Sequence, residues 1–295
     1  MLFYAVMQEW LHFHQLEVSG SSTTLYERNI DLIKETLGSM EVNEITQKNI
    51  QDFFIEFHKN GLKENTILNY SKPISMSLRY AVEKGYIDTN PYYGIKIPKG
   101  EKKEINPFTM EEFRKILSIE MKVWLRDAIE IAYRTGLRKG EIFALKKEDI
   151  ELDERFIVVR HTQSLVGKEY IIKCPKTKHS RRRVDFDTVC YRILKRRCSQ
   201  NESDFLFHKK DGSMFIPNCI SNTISRKCKK AGIKKHTFHD FRHGHATYLL
   251  QNNVHPKIVQ ERLGHASISI TLDTYSHLIP GMQKTAVDAV EKILL

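Results

Sequence analysis

The sequence predicts a mainly α-helical protein with a small antiparallel β-sheet, divided into a helical amino-terminal domain and a larger α+β domain. Three observations predict it. Apolar residues recur at helical spacing through most of the 295 residues. Short β-rich runs are confined to about 155–187. A proline-punctuated, charged and aperiodic stretch over 88–105 separates the two parts, giving domains at 1–98 and 106–295 with a linker at 99–105.

In order along the chain, the opening Met1-Leu2-Phe3-Tyr4-Ala5-Val6-Met7 is apolar, but it lacks a basic flank and ends at Gln8-Glu9, unlike a signal peptide. Thr24 to Leu37 carries Leu25, Ile30, Leu32, Ile33 and Leu37 at helical spacing, and Ile50 to Phe57 repeats the pattern with Phe53, Phe54 and Phe57. A third helix is expected from Glu64 to about Lys84, with Pro73 kinking or interrupting it. Past the linker, Thr109-Met110-Glu111-Glu112 is a capping box ahead of an apolar-periodic helix. A helix over about 124–134 ends at Gly136 and another starts near Arg138. Strands are expected at 156–159, 170–172 and 183–186, forming one sheet. Helices then follow at about 188–199, 218–230, 239–251, 256–263, 268–276 and 282–294.

Charge narrows the function classes. Lys and Arg total 47 against 36 Asp and Glu, a net +11, and the excess is localised. Residues 171–235 hold 18 Lys or Arg and 5 acids, whereas residues 1–100 sum to −2. A concentrated basic surface favours a polyanion, nucleic acid ahead of an anionic membrane. No apolar run approaches the roughly 18 residues that span a bilayer, so a cytoplasmic protein without a membrane partner is expected. The five cysteines are odd in number and form no C-x-x-C pair, which suggests neither a disulfide framework nor a zinc knuckle.

Four clusters carry candidate chemistry: Thr135-Gly136-Leu137-Arg138-Lys139-Gly140-Glu141, Pro175-Lys176-Thr177-Lys178, His239-Asp240-Phe241-Arg242, and Leu263-Gly264-His265 with Tyr275 beyond it. At about 100° per residue, His239 and Arg242 share one helical face, about 60° apart, while Phe241 and Tyr248 fall on the opposite one. Such a helix can bury its aromatics and present an imidazole beside a guanidinium, a pairing suited to phosphate. His239 and His243 also have the spacing of a metal-binding pair, but H-x-x-R-H lacks a zincin glutamate and no acidic cluster lies nearby, so no metal is expected. Each cluster alone has an ordinary structural role: Arg138 can pair with Glu141 or cap a helix, Lys176 and Lys178 can be exposed turn charges, His265 can follow a C-cap, and Tyr275 can pack in a core.

In this order and at these separations, the clusters resemble the tyrosine recombinase or phage integrase family of site-specific DNA recombinases. The motifs span 106–280, and the helical residues 1–98 resemble the family's core-binding (SAM-like) domain, ahead of a catalytic domain of integrase type. The resemblance implies cleavage and rejoining of DNA through a 3′-phosphotyrosine, with strand exchange, for integration or excision of a phage or mobile element. Tyr275 would be the nucleophile, Arg138 and Arg242 the phosphate clamp, Lys176 the general acid with Lys178 as the alternative, His239 an aid to proton transfer, and His265 a further phosphate contact. The extra arm-binding domain of many phage integrases is expected to be missing. A type IB topoisomerase-like relaxing enzyme and a catalytically silent architectural DNA-binding protein are the competing readings; the motif spacing fits the integrase pattern better.

The chemistry is self-consistent. A tyrosine hydroxyl has a reference pKa near 10, and two guanidiniums can neutralise the charge that develops on the phosphate. Storing the bond as a phosphotyrosine requires no cofactor. Arg181, Arg182 and Arg183 in the basic block, with Lys72 and Arg79 on the amino-terminal domain, are the expected contacts to double-stranded DNA. The resemblance implies a tetramer on DNA; the apolar stripe of the helix at 282–294 can pack on its own domain or dock on a neighbouring subunit, and docking between subunits is the expectation that the resemblance favours. The two domains are expected to close on the duplex as a clamp. Proteolytic cutting within 88–105 should therefore be suppressed by site DNA, and equal cutting with and without DNA would contradict the clamp.

Overall fold

The computed structural model describes residues 1–18, 20–98, 107–167, 169–174, 181–200, 203–217, 220–275, 287, 290 and 291. The chain forms two compact units, Met1–Lys103 with Leu165–Glu169, and Glu104–Ser164 with Tyr170–Leu295.

In the first unit, Phe3, Val6, Met7, Trp10 and Leu11 recur at i, i+3, i+4, i+7 and i+8, and this stripe folds as α1 (Phe3–His14) with all five side chains buried. This helix lies outside the expected set. α2 spans Gly20–Ile33 rather than continuing to Leu37. The Thr36 N–H and hydroxyl both donate to Ile33 O, which turns the chain after that residue. α3 (Gln47–Lys59) starts at a reciprocal cap in which Thr46 Oγ1 accepts from Asn49 N–H and Asn49 Oδ1 accepts from Thr46 N–H.

α4 (Glu64–Glu83) runs unbroken through the buried Pro73, contrary to the expected interruption. Proline removes the donor that Asn69 O would have used in a regular helix. The buried Asn29 side chain supplies a replacement, donating from Nδ2 to Asn69 O at 2.9 Å. Lys72 and Arg79, seven residues apart on α4, are both exposed, and Arg79 pairs with Glu83 at 3.7 Å.

The second unit opens with α5 (Met110–Ser118), where Thr109 and Glu112 form the expected capping box through bonds of 3.0 and 3.1 Å. α6 (Val123–Thr135) ends on Gly136, and the one-turn α7 (Lys139–Ile142) follows. β1 (Ile150–Glu151), β2 (Phe156–Val159) and β5 (Arg182–Asp185) pair antiparallel in the order β1-β2-β5. β3 (Thr162–Val166) and β4 (Glu169–Lys173) form a separate two-stranded sheet, so the single expected sheet is two. Lys176 and Lys178 lie outside the described residues, between strands that belong to different sheets.

α8 (Thr188–Gln200), α9 (Ile220–Lys230), α10 (His239–Gln251), α11 (Pro256–Leu263) and α12 (Ile268–Tyr275) complete the unit close to their expected limits. α10 packs along α6 and places Phe241 in the core, stacked on Phe108 with ring centroids 4.3 Å apart. Tyr248 does not share that fate: it is 45% exposed, because the buried face of α10 runs through Phe241, Arg242, His245 and Ala246 instead. The helix expected at 282–294 falls mostly outside the described residues; positions 287, 290 and 291 are helical, with Val287 and Val290 exposed.

Asn29→Ala should strand the Asn69 carbonyl and cost about 1–3 kcal/mol. Adding Pro73→Ala should recover part of that loss by returning an N–H donor. Urea unfolding of the two single variants and the double variant checks this; strictly additive changes would show that the side chain and the proline are not coupled.

Candidate active site

The site is organised by the end of α11. Pro256 occupies its first turn, and the His255 Nδ1 cap accepts from Lys257 N–H at 3.1 Å. At the other end Gly264 adopts φ +66°, and the His265 N–H closes back on Gln260 O at 3.1 Å. A helix end leaves its last carbonyls without intrahelical donors. Here three of them accept from arginines: Arg262 O from Arg182 Nε at 2.7 Å, Leu263 O from Arg242 Nη2 at 2.8 Å, and Gly264 O from Arg138 Nη2 at 3.1 Å.

The other ends of these guanidiniums are also fixed. Arg242 Nη1 donates to Gly136 O at 2.7 Å. Gly136 has φ +70°, and a Cβ there would lie 2.7 Å from His245 Cδ2 and 2.8 Å from Leu263 Cδ2, so the turn that presents this carbonyl requires glycine. Arg182 donates from Nη1 and Nη2 to the two carboxylate oxygens of Glu141, each at 3.0 Å, and Arg138 donates to the same carboxylate from Nη1 and from its backbone N–H, each at 2.8 Å. Burial opposes ionisation of Glu141, but Arg182 and Arg138 outweigh it and hold its pKa down at about 2. Arg242 is 2% exposed, and burial followed by the charge of Arg138 lowers its pKa to about 9.

Behind this layer, the buried His245 donates from Nδ1 to Tyr133 O at 2.8 Å, and its Nε2 accepts from Arg262 Nε at 2.9 Å. Arg262 also donates to Arg134 O and Asp185 O at 3.1 and 2.9 Å, tying α11 to α6 and β5. Burial, reinforced by Arg262, lowers the His245 pKa to about 3, which keeps the ring neutral with one nitrogen free to accept.

His265 follows the cap, with Nδ1 2.9 Å from the buried Thr271 Oγ1. Burial and then Arg242, Arg138 and Arg182 lower its pKa to about 3. His239 is exposed, and the partial desolvation imposed by surrounding protein, with His243 and Arg242 next, lowers it to about 4. Its ring meets that of His243 edge-on, with centroids 4.7 Å apart. Tyr275 is 1% exposed, packed with Ala246, Leu250, Val259 and Leu263, and its Oη lies 2.7 Å from His243 Nδ1. Burial raises its pKa to about 12 against the opposing charge of Arg242.

The structure therefore gathers Arg138, Arg242, His239, His265 and Tyr275 around one helix end. Arg182 is corrected: it was expected on a DNA-facing surface, but its side chain is 6% exposed and is spent on Glu141 and α11. Strand alternation explains this, since Arg182 and the buried Val184 point to one side of β5 and Arg183 to the other. Arg181 is exposed; Arg183 is half-exposed, paired with Asp185 and Glu154 at 2.8 and 3.2 Å and laid over the Phe156 ring. Arg196 and Arg197, also in the basic block, clasp the buried Asp127 at 2.6 and 2.8 Å. The sequence reading passed over His243 as a partner of Tyr275. Its spacing of four from His239, which places both rings on one face, is the available signal. Among the described residues, no group of three or more His, Cys, Asp or Glu could hold a metal ion. The arrangement sets three guanidiniums against one carboxylate, a surplus suited to an anionic oxygen-rich substrate such as a phosphodiester.

Comparisons with known proteins agree with this chemistry. The phage integrase family profile matches residues 103–281, and the phage integrase SAM-like domain profile matches residues 2–101. The ICEBs1 integrase of Bacillus subtilis is 28% identical over 86% of this chain and 73% of its own length. A XerC-like tyrosine recombinase of Caldanaerobacter subterraneus is 28% identical over 98% of this chain and 83% of its own. Among solved structures, the Tn1549 transposon integrase bound to a circular-intermediate DNA superposes with a TM-score of 0.87 at 22% identity, covering 98% of this chain and 99% of that one. A lambda integrase tetramer bound to a Holliday junction reaches 0.73 at 19% identity over 93% of this chain and 77% of that one, and both likenesses show the shared fold. With one profile spanning more than half of the sequence and a second covering most of the remainder, the chain belongs to the phage integrase family and is a tyrosine-type site-specific recombinase.

Proposed function

We propose that Tyr275 attacks the scissile phosphate of double-stranded DNA, leaving a 3′-phosphotyrosine and a free 5′ hydroxyl, and that Arg138 and Arg242 bind the nonbridging oxygens. The observation that carries the reading is the convergence of these guanidiniums with Tyr275 on the end of α11. Arg242 keeps donors beyond the two it gives to backbone carbonyls, and a phosphate accepting from it would offset the burial, and after it the charge of Arg138, that lower its pKa. Lys176, with Lys178 as the alternative, supplies the proton to the departing 5′ oxygen, and His265 adds a phosphate contact from a ring already oriented by Thr271. Arg181, Arg183, Lys72 and Arg79 are the proposed backbone contacts. Arg182 is reassigned as a positioning residue that holds Glu141, and Glu141 in turn holds Arg138.

The relatives are integrases and Xer recombinases, which favours strand exchange over simple relaxation. The circular-intermediate complex of the transposon relative supports a mobile-element substrate, and the Holliday-junction tetramer of the lambda relative supports a homotetramer on DNA. The helix at 282–294, with Val287 and Val290 exposed, is the proposed contact between subunits. The proposed place of action is the cytoplasm.

Mixing the protein with a random-sequence library of nicked duplexes, whose cleaved end is lost by diffusion, should trap SDS-resistant adducts and identify the site. On the recovered duplex, Tyr275→Phe should bind within about threefold of wild type and form no adduct; an adduct surviving in that variant would refute the assignment. Glu141→Gln removes the buried carboxylate between the buried Arg182 and the partly exposed Arg138 and should cost roughly 3 kcal/mol at neutral pH. Because the folded-state pKa of Glu141 lies below its unfolded value, its contribution is complete above about 4.5 and declines towards about 2. The stability gap between wild type and Glu141→Gln should shrink over that window in urea melts, and a constant gap would mean that the carboxylate charge is not what stabilises.

A further inference from the structure

The roles assigned so far leave open how the Tyr275 hydroxyl loses its proton. The group is buried, and with a pKa raised to about 12 it is ionised in only about one molecule in 10⁵ at neutral pH. An attacking phenol in that setting needs an acceptor within hydrogen-bond reach. The ring nitrogen at that distance is His243 Nδ1, 2.7 Å away. His239 stands exposed, one helical turn before it, edge-on to the His243 ring.

The 2.7 Å contact is fixed from both sides. Arg242, the preceding residue, bonds Gly136 O and Leu263 O and so sets the rotation of α10 about its axis. Tyr275 is seated on Ala246 and Leu250 of α10 and on Val259 and Leu263 of α11. We propose that His243 is the general base of the cleavage step, accepting the Tyr275 proton as the phenolic oxygen attacks phosphorus. The inference rests on Tyr275 being the nucleophile.

In the step, neutral His243 carries its proton on Nε2 and presents Nδ1. The Tyr275 Oη–H proton passes to Nδ1, the Oη–P bond forms, the P–O5′ bond breaks, and the departing O5′ takes a proton from Lys176. In the reverse direction a 5′ hydroxyl attacks phosphorus and gives its proton back to the neutral Lys176 amine, and His243 returns its proton to Tyr275 as the phosphotyrosine bond breaks. The charged and titratable groups around His243 are His239, Asp240 and Arg242 on α10, Tyr275 on α12, and His265 beyond α11. Burial, with Arg242, lowers its pKa from 6.5 against the opposing pull of Asp240. The base is therefore unprotonated and fully effective at neutral pH, and activity should fall only as pH drops below 6.5.

The test is single-turnover cleavage of the nicked duplex recovered with wild-type protein, made with an ordinary 5′ oxygen and with a 5′-bridging sulfur, a leaving group that departs without a proton. His243→Asn keeps a hydrogen-bonding atom near the Nδ1 position but cannot take up a proton. It should cleave about 100- to 10,000-fold more slowly at pH 7, with the same deficit on the sulfur substrate, whereas a Lys176→Ala deficit should be rescued by sulfur. The rate of the Asn variant should climb about tenfold per pH unit towards the tyrosine pKa, while wild type stays flat above neutral; a merely structural role would leave the profile shape unchanged. Cleavage within threefold of wild type, rescue by sulfur, or an unchanged pH profile would each overturn the proposal. If the Asn variant loses DNA binding, the wild-type sulfur profile decides, since a rate still rising tenfold per unit above pH 8 would show that no base acts. Failure of wild-type protein to form any adduct, or an adduct with Tyr275→Phe, would instead sink the nucleophile assignment itself.

Discussion

The carboxyl-terminal turn of α11 exposes the carbonyls of Arg262, Leu263 and Gly264, and each accepts a hydrogen bond from a guanidinium arriving from elsewhere in the chain. The donors are separated in sequence from their acceptors by 80, 21 and 126 residues, so the arrangement is a product of topology rather than of local motif. It depends on where the helix stops. One further turn would turn its own N–H groups towards these carbonyls and leave the arginines without acceptors. Gly264, in the left-handed conformation, enforces the stop. The partial negative charge at a helix carboxyl terminus adds to the attraction, because cations are favoured there. A Leu-Gly-His sequence thus does more than position one histidine: it ends a helix so that three cations can be pinned at fixed spacing.

Three guanidiniums gather around one carboxylate, so positive charge is in excess there. Burial, followed by the charge of Arg138, lowers the Arg242 pKa, and desolvation by the surrounding protein is likewise the first cause of the lowered values of His265, His239 and His243, with Arg242 adding to each. Neutral imidazoles follow, which can accept protons but add no further charge. The same burial pushes Tyr275 upward, since its ionised form loses hydration. In the proposed mechanism a phosphodiester would bring negative charge to this surplus. Binding the substrate and lowering the barrier to attack upon it would then draw on one source, the fixed surplus of positive charge.

Much of the fold was legible because it rests on local rules. The capping box at Thr109 and Glu112, the glycine stops at Gly136 and Gly264, and the strand pattern at 156–159 each depend on residues within a few positions of one another. The features that were not legible depend on distant partners. Pro73 does not interrupt its helix, and Asn29, forty residues before Asn69, takes over the carbonyl that the proline frees. Arg182 is not a DNA contact because Glu141, forty-one residues earlier, claims it. Three consecutive arginines look alike in sequence; only strand alternation, which needs a known register, separates Arg182 from Arg181 and Arg183. His243 was hidden differently, because a histidine beside a recognised pair reads as its extension until the position of Tyr275 is known.

The fate of the basic block shows how composition can overstate a binding surface. Residues 171–235 carry a net +13, yet Arg182 is consumed by Glu141, and Arg196 and Arg197 by Asp127, all within the protein. Arg182 and Arg197 are held beside their partners and screened little by salt, whereas Arg181, Arg192, Arg196, Lys229 and Lys230 are exposed to the ionic atmosphere. In the proposed DNA complex the exposed group would release counterions from the nucleic acid backbone and so set how steeply binding falls with salt. The first group sets geometry, and the geometry of the clamp is independent of ionic strength to the same degree that it is buried. On the proposed roles, capture and chemistry would be separated on one chain: salt would weaken capture and leave the clamp assembled, while a change at Glu141 or the α11 cap would alter the clamp and leave the exposed charges in place.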